Sequence, residues 1–242
     1  LEEPYLPKTL DDGLSILQMV HQTQKPVTVI GGGANTIIAS AGIRGVTFLT
    51  KRLMFVEQVD EQTFQFGAGV PLARVATTGQ THALSDGEFM IGVPGTVGGA
   101  VTMNAGAMGQ ETASLVEHVM VYDLKKGALE QWSVDDLQFA YRRSAIVSDC
   151  HVVVGAQFKF SPGDSDAIAL RIKESLAFRR EHHPREPNGG SVFKNPLPDR
   201  PVGKLLDDLG AKGWQEGSAM VSLVHANFII NTGSATSTDI LK

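Results

Sequence analysis

Two dense clusters of glycine, each placed directly after a strand-like run, constrain this chain more than any other feature. Glycine supplies 26 of the 242 residues, above the usual share of about 7%. The first cluster is Gly31-Gly32-Gly33-Ala34-Asn35-Thr36, which follows Val27-Thr28-Val29-Ile30. Consecutive glycines let successive backbone N–H groups point into one concavity with no Cβ in the way, so such a loop can take a pyrophosphate. It departs from the Rossmann fingerprint, because Thr36 stands at the third glycine position and no acid occupies the place near Lys51. An ordinary tight turn is the competing reading. The second cluster runs Ile91-Gly92-Val93-Pro94-Gly95-Thr96-Val97-Gly98-Gly99 and continues to Asn104-Ala105-Gly106. Pro94-Gly95 reads as a turn and Thr96 as an N-cap, while Gly98-Gly99 in a first helical turn costs stability unless something must approach the backbone closely. An exposed helix N-terminus here would be an anion site; close helix packing is the alternative.

Around these clusters the first 160 residues alternate short β-branched runs (27–30, 46–49, 63–66, 119–122, 151–154) with helical spacing over 10–21 and 72–82. Ser161-Pro162-Gly163-Asp164 breaks the pattern, and a clear helix follows to 182 with Ile168, Ile172 and Leu176 on one face. The expected organisation is a mixed α/β (α+β) chain with a domain over 1–160 and a smaller one over 161–242. Beyond the Pro184–Pro187 turn the pattern predicts a strand start at Gly190-Ser191, a short helix over 203–209 and a strand over 225–231.

With 21 basic and 26 acidic residues the formal charge is −5, and no basic stripe suits a phosphate backbone, so nucleic acid is excluded as the expected partner. No apolar run approaches the roughly 20 residues that a membrane helix needs. The single cysteine, Cys150, forms no internal disulfide and no leader opens the chain, which together predict a cytoplasmic protein. No metal site is expected. Leu1 is not a methionine and the chain stops soon after Ser237-Thr238-Asp239 opens a helix, so the sequence reads as a fragment.

Together the two glycine segments resemble the UDP-N-acetylenolpyruvoylglucosamine reductase family, and further motifs recur in order. Tyr141-Arg142-Arg143-Ser144 resembles the family's Tyr-Arg-x-Ser segment, Gly190-Ser191-Val192-Phe193-Lys194-Asn195-Pro196 its proton-donor motif, and His225-Ala226-Asn227-Phe228-Ile229-Ile230-Asn231 its late strand. The short stretch from 141 to 160 is similar to the subclass without an inserted substrate loop. The resemblance implies a vanillyl-alcohol-oxidase-like FAD-binding domain followed by a substrate-binding domain. It also implies non-covalent FAD, NADPH as electron donor, and reduction of the enolpyruvyl ether of UDP-N-acetylglucosamine in peptidoglycan precursor synthesis, by a monomer.

By this resemblance Arg142 is the catalytic arginine and Ser191 the proton donor. A guanidinium suits a developing carboxylate enolate because it does not deprotonate, and a carbanionic centre is basic enough to take a well-placed hydroxyl proton. The cofactor residues implied are Gly31, Gly32, Gly33, Ala34, Asn35, Thr36, Gly92, Pro94, Gly95, Thr96, Gly98, Gly99, Asn104, Ala105, Gly106 and Arg179. Tyr141, His182, Lys194, Asn195 and His225 are the implied substrate contacts. Many members carry lysine where this chain has His182, a residue largely neutral at pH 7 unless an anion raises its pKa. His183 reads as merely exposed. The family's third catalytic group, a glutamate after the late strand, lies beyond Lys242. A different flavoenzyme on the same fold and a non-catalytic nucleotide-sugar binder are the competing readings.

Overall fold

The computed structural model describes residues 1–197 and 199–242. Its contacts divide the chain into a unit of 1–32 with 43–176 and a second of 33–42 with 177–242. The first contains β1 (Glu3–Tyr5), α1 (Leu10–Thr23), β2 (Val27–Ile30), β3 (Val46–Leu49), β4 (Val56–Gln58), β5 (Thr63–Gly67), α2 (Leu72–Thr81), β6 (Leu84–Ser85), α3 (Val97–Met103), β7 (Gly106–Ala107), β8 (Gln110–Glu111), β9 (Val116–Asp123), β10 (Ala128–Ser133), α4 (Val134–Leu137), β11 (His151–Lys159) and β12 (Ser161–Pro162). Helix α5 (Ser165–His182) follows, and the change of unit at 176–177 falls inside it.

Three parallel strands in the order β1-β3-β2 form one sheet, and five antiparallel strands in the order β10-β9-β11-β5-β4 form another. Helix α1 starts where the Thr9 hydroxyl accepts the Asp12 N–H at 3.1 Å and stops at Gln24, whose φ of 51° is left-handed. Its buried face carries Leu17 and Val20 into a cluster with Phe48 and Leu53, each such side chain contributing about 1.5–3 kcal/mol by burial. The five-stranded sheet buries Phe64, Phe66, Phe158 and Phe160 together. The Phe66 ring centroid lies 5.6 Å from that of Phe158 and 6.5 Å from that of Phe160, within the range where tilted aromatic pairs attract.

The buried face of α5 differs from the expected one: Ile168, Ile172 and Ser175 are buried, whereas Leu176 is 40% exposed. At 3.6 residues per turn, seven residues bring the chain back to within about 20° of Ile168, and eight overshoot by about 80°.

The second unit contains β13 (Asn188–Ser191), α6 (Val202–Asp208), β14 (Gln215–Glu216), β15 (Ala219–Val221), β16 (Phe228–Asn231) and α7 (Ser237–Leu241). Its sheet is antiparallel in the order β13-β16-β15-β14. The strand expected over 225–231 begins only at Phe228, because the Phe228 N–H closes a turn on the His225 carbonyl at 3.1 Å. Helix α7 begins in a capping box between Thr236 and Asp239, and the Ser40 N–H donates to Ser237 Oγ at 3.1 Å, fixing segment 33–42 to this unit. Among the described residues no helix is long and apolar enough to cross a membrane, and no group of three His, Cys, Asp or Glu residues is placed to hold a metal.

Candidate active site

Gly31 and Gly32 meet the second glycine cluster in the first unit. A Cβ added to Gly31 would lie 2.5 Å from Thr96 Oγ1, and one on Gly32 would lie 3.5 Å from Gly95 Cα. Thr96 is the N-cap of α3, yet its hydroxyl caps nothing. Its Oγ1 is buried without a protein hydrogen-bond partner, a situation that costs about 1–3 kcal/mol unless something else satisfies it. At Gly95, with φ of 127°, the Cβ direction is open for 4 Å. An orphaned hydroxyl between two glycine segments, next to open backbone, fits a phosphate oxygen, so these residues fit the pyrophosphate of an FAD.

The start of α3 is not the open anion site expected from the sequence. The Val97 N–H donates to Val70 O and the Gly98 N–H to Ala68 O, both at 2.9 Å. Gly98 is buried with its Cβ position 3.0 Å from Ala68 Cβ, so that glycine serves close packing. Gly99 is exposed, and its Cβ position meets nothing nearer than 4.0 Å. Gly92 ends a 3-10 turn over Glu88–Gly92. Buried Glu88 anchors this turn to α5 through Arg171, whose Nε and Nη2 donate to Glu88 Oε1 at 3.0 and 2.6 Å.

The other end of α3 holds Arg142. Asn104 ends the helix with a left-handed φ of 43°. Its buried side chain donates to Glu111 Oε2 at 2.8 Å and to Ala140 O at 3.1 Å, and accepts the Ala113 N–H at 3.0 Å. The main-chain carbonyls of Asn104 and Gly106 accept from Arg142 Nη1 at 3.3 Å and Nη2 at 2.8 Å. Positive φ at Met108 and Gly109 closes the β7–β8 hairpin, setting Glu111 opposite Gly106 and 3.6 Å from Arg142 Nη1. A Cβ on Gly106 would collide with the Gln110 carbonyl across the hairpin and come within 2.9 Å of Arg142 Nη1, so this glycine lets the hairpin close and leaves room for the guanidinium. Arg142 itself has φ of 54°, a conformation that costs a branched-at-Cβ-free L-residue roughly 1 kcal/mol or more. Reciprocal backbone bonds between Ala140 and Arg143, at 2.9 and 3.0 Å, hold it there. The Tyr141 ring lies 5.1 Å from the guanidinium carbon, and Ser144 Oγ donates to Thr102 O at 2.8 Å, tying the segment back to α3. The Ala105 carbonyl accepts both the N–H and the hydroxyl of Thr112 at 2.8 Å.

In the second unit Ser191 is exposed at the end of β13. Asn188 pairs with Ile230 and Ser191 with Phe228, so two residues of β13 oppose one of β16. This bulge is made at Gly190, with φ of 81°, and a bulge re-aims the side chain that follows it. Beyond it, Asn195 Oδ1 accepts the Val202 N–H at 3.0 Å at the start of α6, and Lys194 is exposed. His182 stacks on Phe178 with centroids 4.2 Å apart, and its Nδ1 lies 2.9 Å from Phe178 O. His225 Nδ1 accepts the Asn227 N–H at 3.1 Å, and its ring lies 4.9 Å from Phe228. Arg179 is half-buried. Gly33, Ala34, Asn35 and Thr36 belong to the segment counted with this unit.

His183 is not the exposed residue expected. It is half-buried, with its ring 5.1 Å from Phe228 and 6.1 Å from His225. Burial, reinforced by the nearby Arg179, His225 and His182, lowers its pKa to about 4.

Residues 5–131 match an FAD binding domain family, and residues 182–242 match the C-terminal domain of UDP-N-acetylenolpyruvoylglucosamine reductase. The chain is similar to the UDP-N-acetylenolpyruvoylglucosamine reductase of Halalkalibacterium halodurans, at 35% identity over 98% of this chain and 78% of the relative. The same-named proteins of Synechococcus sp. and Listeria innocua share 39% and 38% identity, with 97% and 98% of this chain covered and 77% and 79% of theirs. A crystal structure of the reductase from Thermus caldophilus superposes with a TM-score of 0.86 at 31% identity, covering 99% of this chain and 85% of that one. The chain belongs to the UDP-N-acetylenolpyruvoylglucosamine reductase family.

Within this family member the first unit brings together Gly31, Gly32, Gly95 and Thr96 at one end of α3, and Asn104, Gly106 and Arg142 at the other. Ser191, Lys194, Asn195, His182 and His225 are placed by the second unit. Sequence reasoning assigned no role to Glu111, Asn227 or Glu88. Only Glu111 carried a local signal, since the Met108-Gly109 turn sets the hairpin register that puts it beside Arg142.

Proposed function

We propose that this reductase converts UDP-N-acetylenolpyruvoylglucosamine to UDP-N-acetylmuramate at the expense of NADPH, in peptidoglycan precursor synthesis, with Arg142 and Ser191 as the catalytic residues. When bound, FAD supplies the hydride relay between the nicotinamide and the enol ether. The observation that carries the reading is the construction around α3. One seven-residue helix presents the glycine junction at its N-terminus and the arginine cradle at its C-terminus, about 10 Å apart by helix rise. The glycine junction and the arginine cradle are therefore held at the two ends of one element.

In this reading Gly31, Gly32, Gly95 and the Thr96 hydroxyl hold the cofactor's pyrophosphate, helped by Gly33, Ala34, Asn35, Thr36, Gly92, Pro94, Gly99 and Arg179. The Arg142 guanidinium faces the substrate carboxylate, where negative charge grows during reduction, and its fixed orientation spares reorganisation at that moment. Ser191 Oγ then gives its proton to the carbon beside that carboxylate. Tyr141, His182, Lys194, Asn195 and His225 bind the UDP-sugar. The reading places the FAD domain over 1–160 and the substrate domain over 161–242, in a cytoplasmic monomer whose partners are small molecules. The excess of acidic over basic residues favours such partners over a polyanion.

Stopped-flow absorbance of the Ser191→Ala holoenzyme tests the assignment. Bleaching of the flavin by NADPH should proceed at nearly the wild-type rate, because that step uses no hydroxyl. Its reoxidation by the enolpyruvyl substrate should slow at least about 10²-fold. Equal slowing of both would make Ser191 a structural residue, and no slowing of either would mean that the proton comes from elsewhere.

A further inference from the structure

We propose that Asn227 is the positioning residue of Ser191: its side-chain amide clamps the main chain just beyond the serine and thereby fixes where the Ser191 hydroxyl can point. This inference rests on the reading of Ser191 as the proton donor. Asn227 is 4% exposed. Its Oδ1 accepts the Phe193 N–H and its Nδ2 donates to the Phe193 carbonyl, both at 2.9 Å. Its own carbonyl accepts the Val192 N–H at 2.9 Å, and its N–H is held by His225 Nδ1 at 3.1 Å.

Ser191 makes the last backbone pair of β13 with β16, opposite Phe228. Past the Val192–Asn227 bond that flanks this pair the strand ladder ends, and the Asn227 side chain continues it by offering Phe193 one acceptor and one donor, as a neighbouring strand would. On the other side of Ser191 the Gly190 bulge is held by the Asn188 side chain, whose Oδ1 accepts the Gly190 N–H at 2.9 Å. The serine is thus bracketed by two side-chain amides. With its backbone fixed on both sides, only rotation about χ1 remains, among three staggered wells. Proton transfer demands placement to well within 1 Å, so loss of one bracket should lower the rate without removing the donor.

Neither a carboxylate nor an apolar residue can replace the amide. Aspartate would accept from the Phe193 N–H and then confront the Phe193 carbonyl with a second acceptor, and leucine would satisfy neither group.

The test uses holoenzyme of wild type, Asn227→Ala, Asn227→Asp, Ser191→Ala and the Asn227→Ala/Ser191→Ala double variant. Each is read in the two flavin half-reactions, with amide hydrogen exchange at Val192 and Phe193 measured alongside. In Asn227→Ala the exchange should accelerate at both amides. FAD content and reduction by NADPH should stay within about twofold of wild type, and reoxidation by substrate should slow at least about tenfold. In the Ser191→Ala background, removing Asn227 should change reoxidation by less than about twofold, because the group it positions is already gone. An undiminished factor in that background overturns the proposal, since Asn227 would then act on something other than the serine. Should Asn227→Ala fail to fold, Asn227→Asp carries the same comparison, and unchanged reoxidation in it likewise overturns the proposal. If Ser191→Ala alone leaves reoxidation unchanged, the proton-donor reading falls first, and the positioning role with it. Slowing in Ser191→Ala but not in Asn227→Ala removes the positioning role alone.

Discussion

Acidification should loosen the second unit through His183. Its ring is half-buried among Phe178, Phe228 and His225. Burial first, then the positive charge of Arg179 and the two neighbouring histidines, lowers its pKa to about 4, against about 6.5 in an unfolded chain. Between those values the folded state binds fewer protons than the unfolded one, so stability rises with pH. The contribution is complete above pH 6.5, is lost as pH falls through 4, and changes no further below that. At about 1.4 kcal/mol per pH unit the gap sets a ceiling of about 3 kcal/mol. Partial solvent exposure of the ring reduces the expected effect to about 1.5 kcal/mol. His225 is shifted in the same direction by its own burial and by Lys212, so the wild-type curve alone does not isolate His183. The comparison is with His183→Phe, which keeps an aromatic ring among the same neighbours and cannot titrate. Urea unfolding followed through Trp214 fluorescence, in a Trp132→Phe background, should show wild type losing about 1.5 kcal/mol more than His183→Phe between pH 7 and pH 4. Parallel stability curves for the two proteins would refute the reasoning.

The Glu88–Arg171 pair is lopsided, with Glu88 at 6% side-chain exposure and Arg171 at 47%. Arg171→Ala should therefore destabilise by about 3 kcal/mol by stranding a buried carboxylate, while Glu88→Gln costs less; the reverse order in denaturant titrations would contradict this. Thr96→Val removes a buried hydroxyl that has no protein partner. It should leave the FAD-free protein as stable as before while weakening FAD binding about tenfold, read by flavin fluorescence. Unchanged affinity would mean that the hydroxyl does not serve the cofactor.

Much of the first unit was legible because its strands and helices obey local periodicity. The β2, β3 and β5 runs and helices α1 and α2 fall within a residue or two of their expected limits. What escaped was non-local. Ala68 and Val70 supply carbonyls to the start of α3 from nearly thirty residues upstream, and nothing in Thr96-Val97-Gly98 announces that those N–H groups are already satisfied. Short strands such as β7, β8, β14 and β15 owe their existence to pairing rather than to an apolar pattern. The choice of Ser175 over Leu176 as a buried position shows hydrophobicity losing to helical phase. At the site, Arg142 and Ser191 were named through resemblance to a family, whereas the amides that fix their surroundings, Asn104 and Asn227, act mostly through main-chain partners. A side chain that bonds to peptide groups leaves no compositional trace at the other end of the bond.

The way Arg142 is held also determines which sequence changes this region can absorb. Two of its guanidinium acceptors, at positions 104 and 106, are peptide carbonyls, which every amino acid carries. Drift in the side chains around them cannot delete those acceptors, whereas the Glu111 carboxylate beside the guanidinium can be lost by a single change. Sensitivity to bulk concentrates at Gly106, where even a methyl group would meet the Gln110 carbonyl and the guanidinium. At Gly106 itself substitution tolerance should therefore follow residue volume rather than polarity.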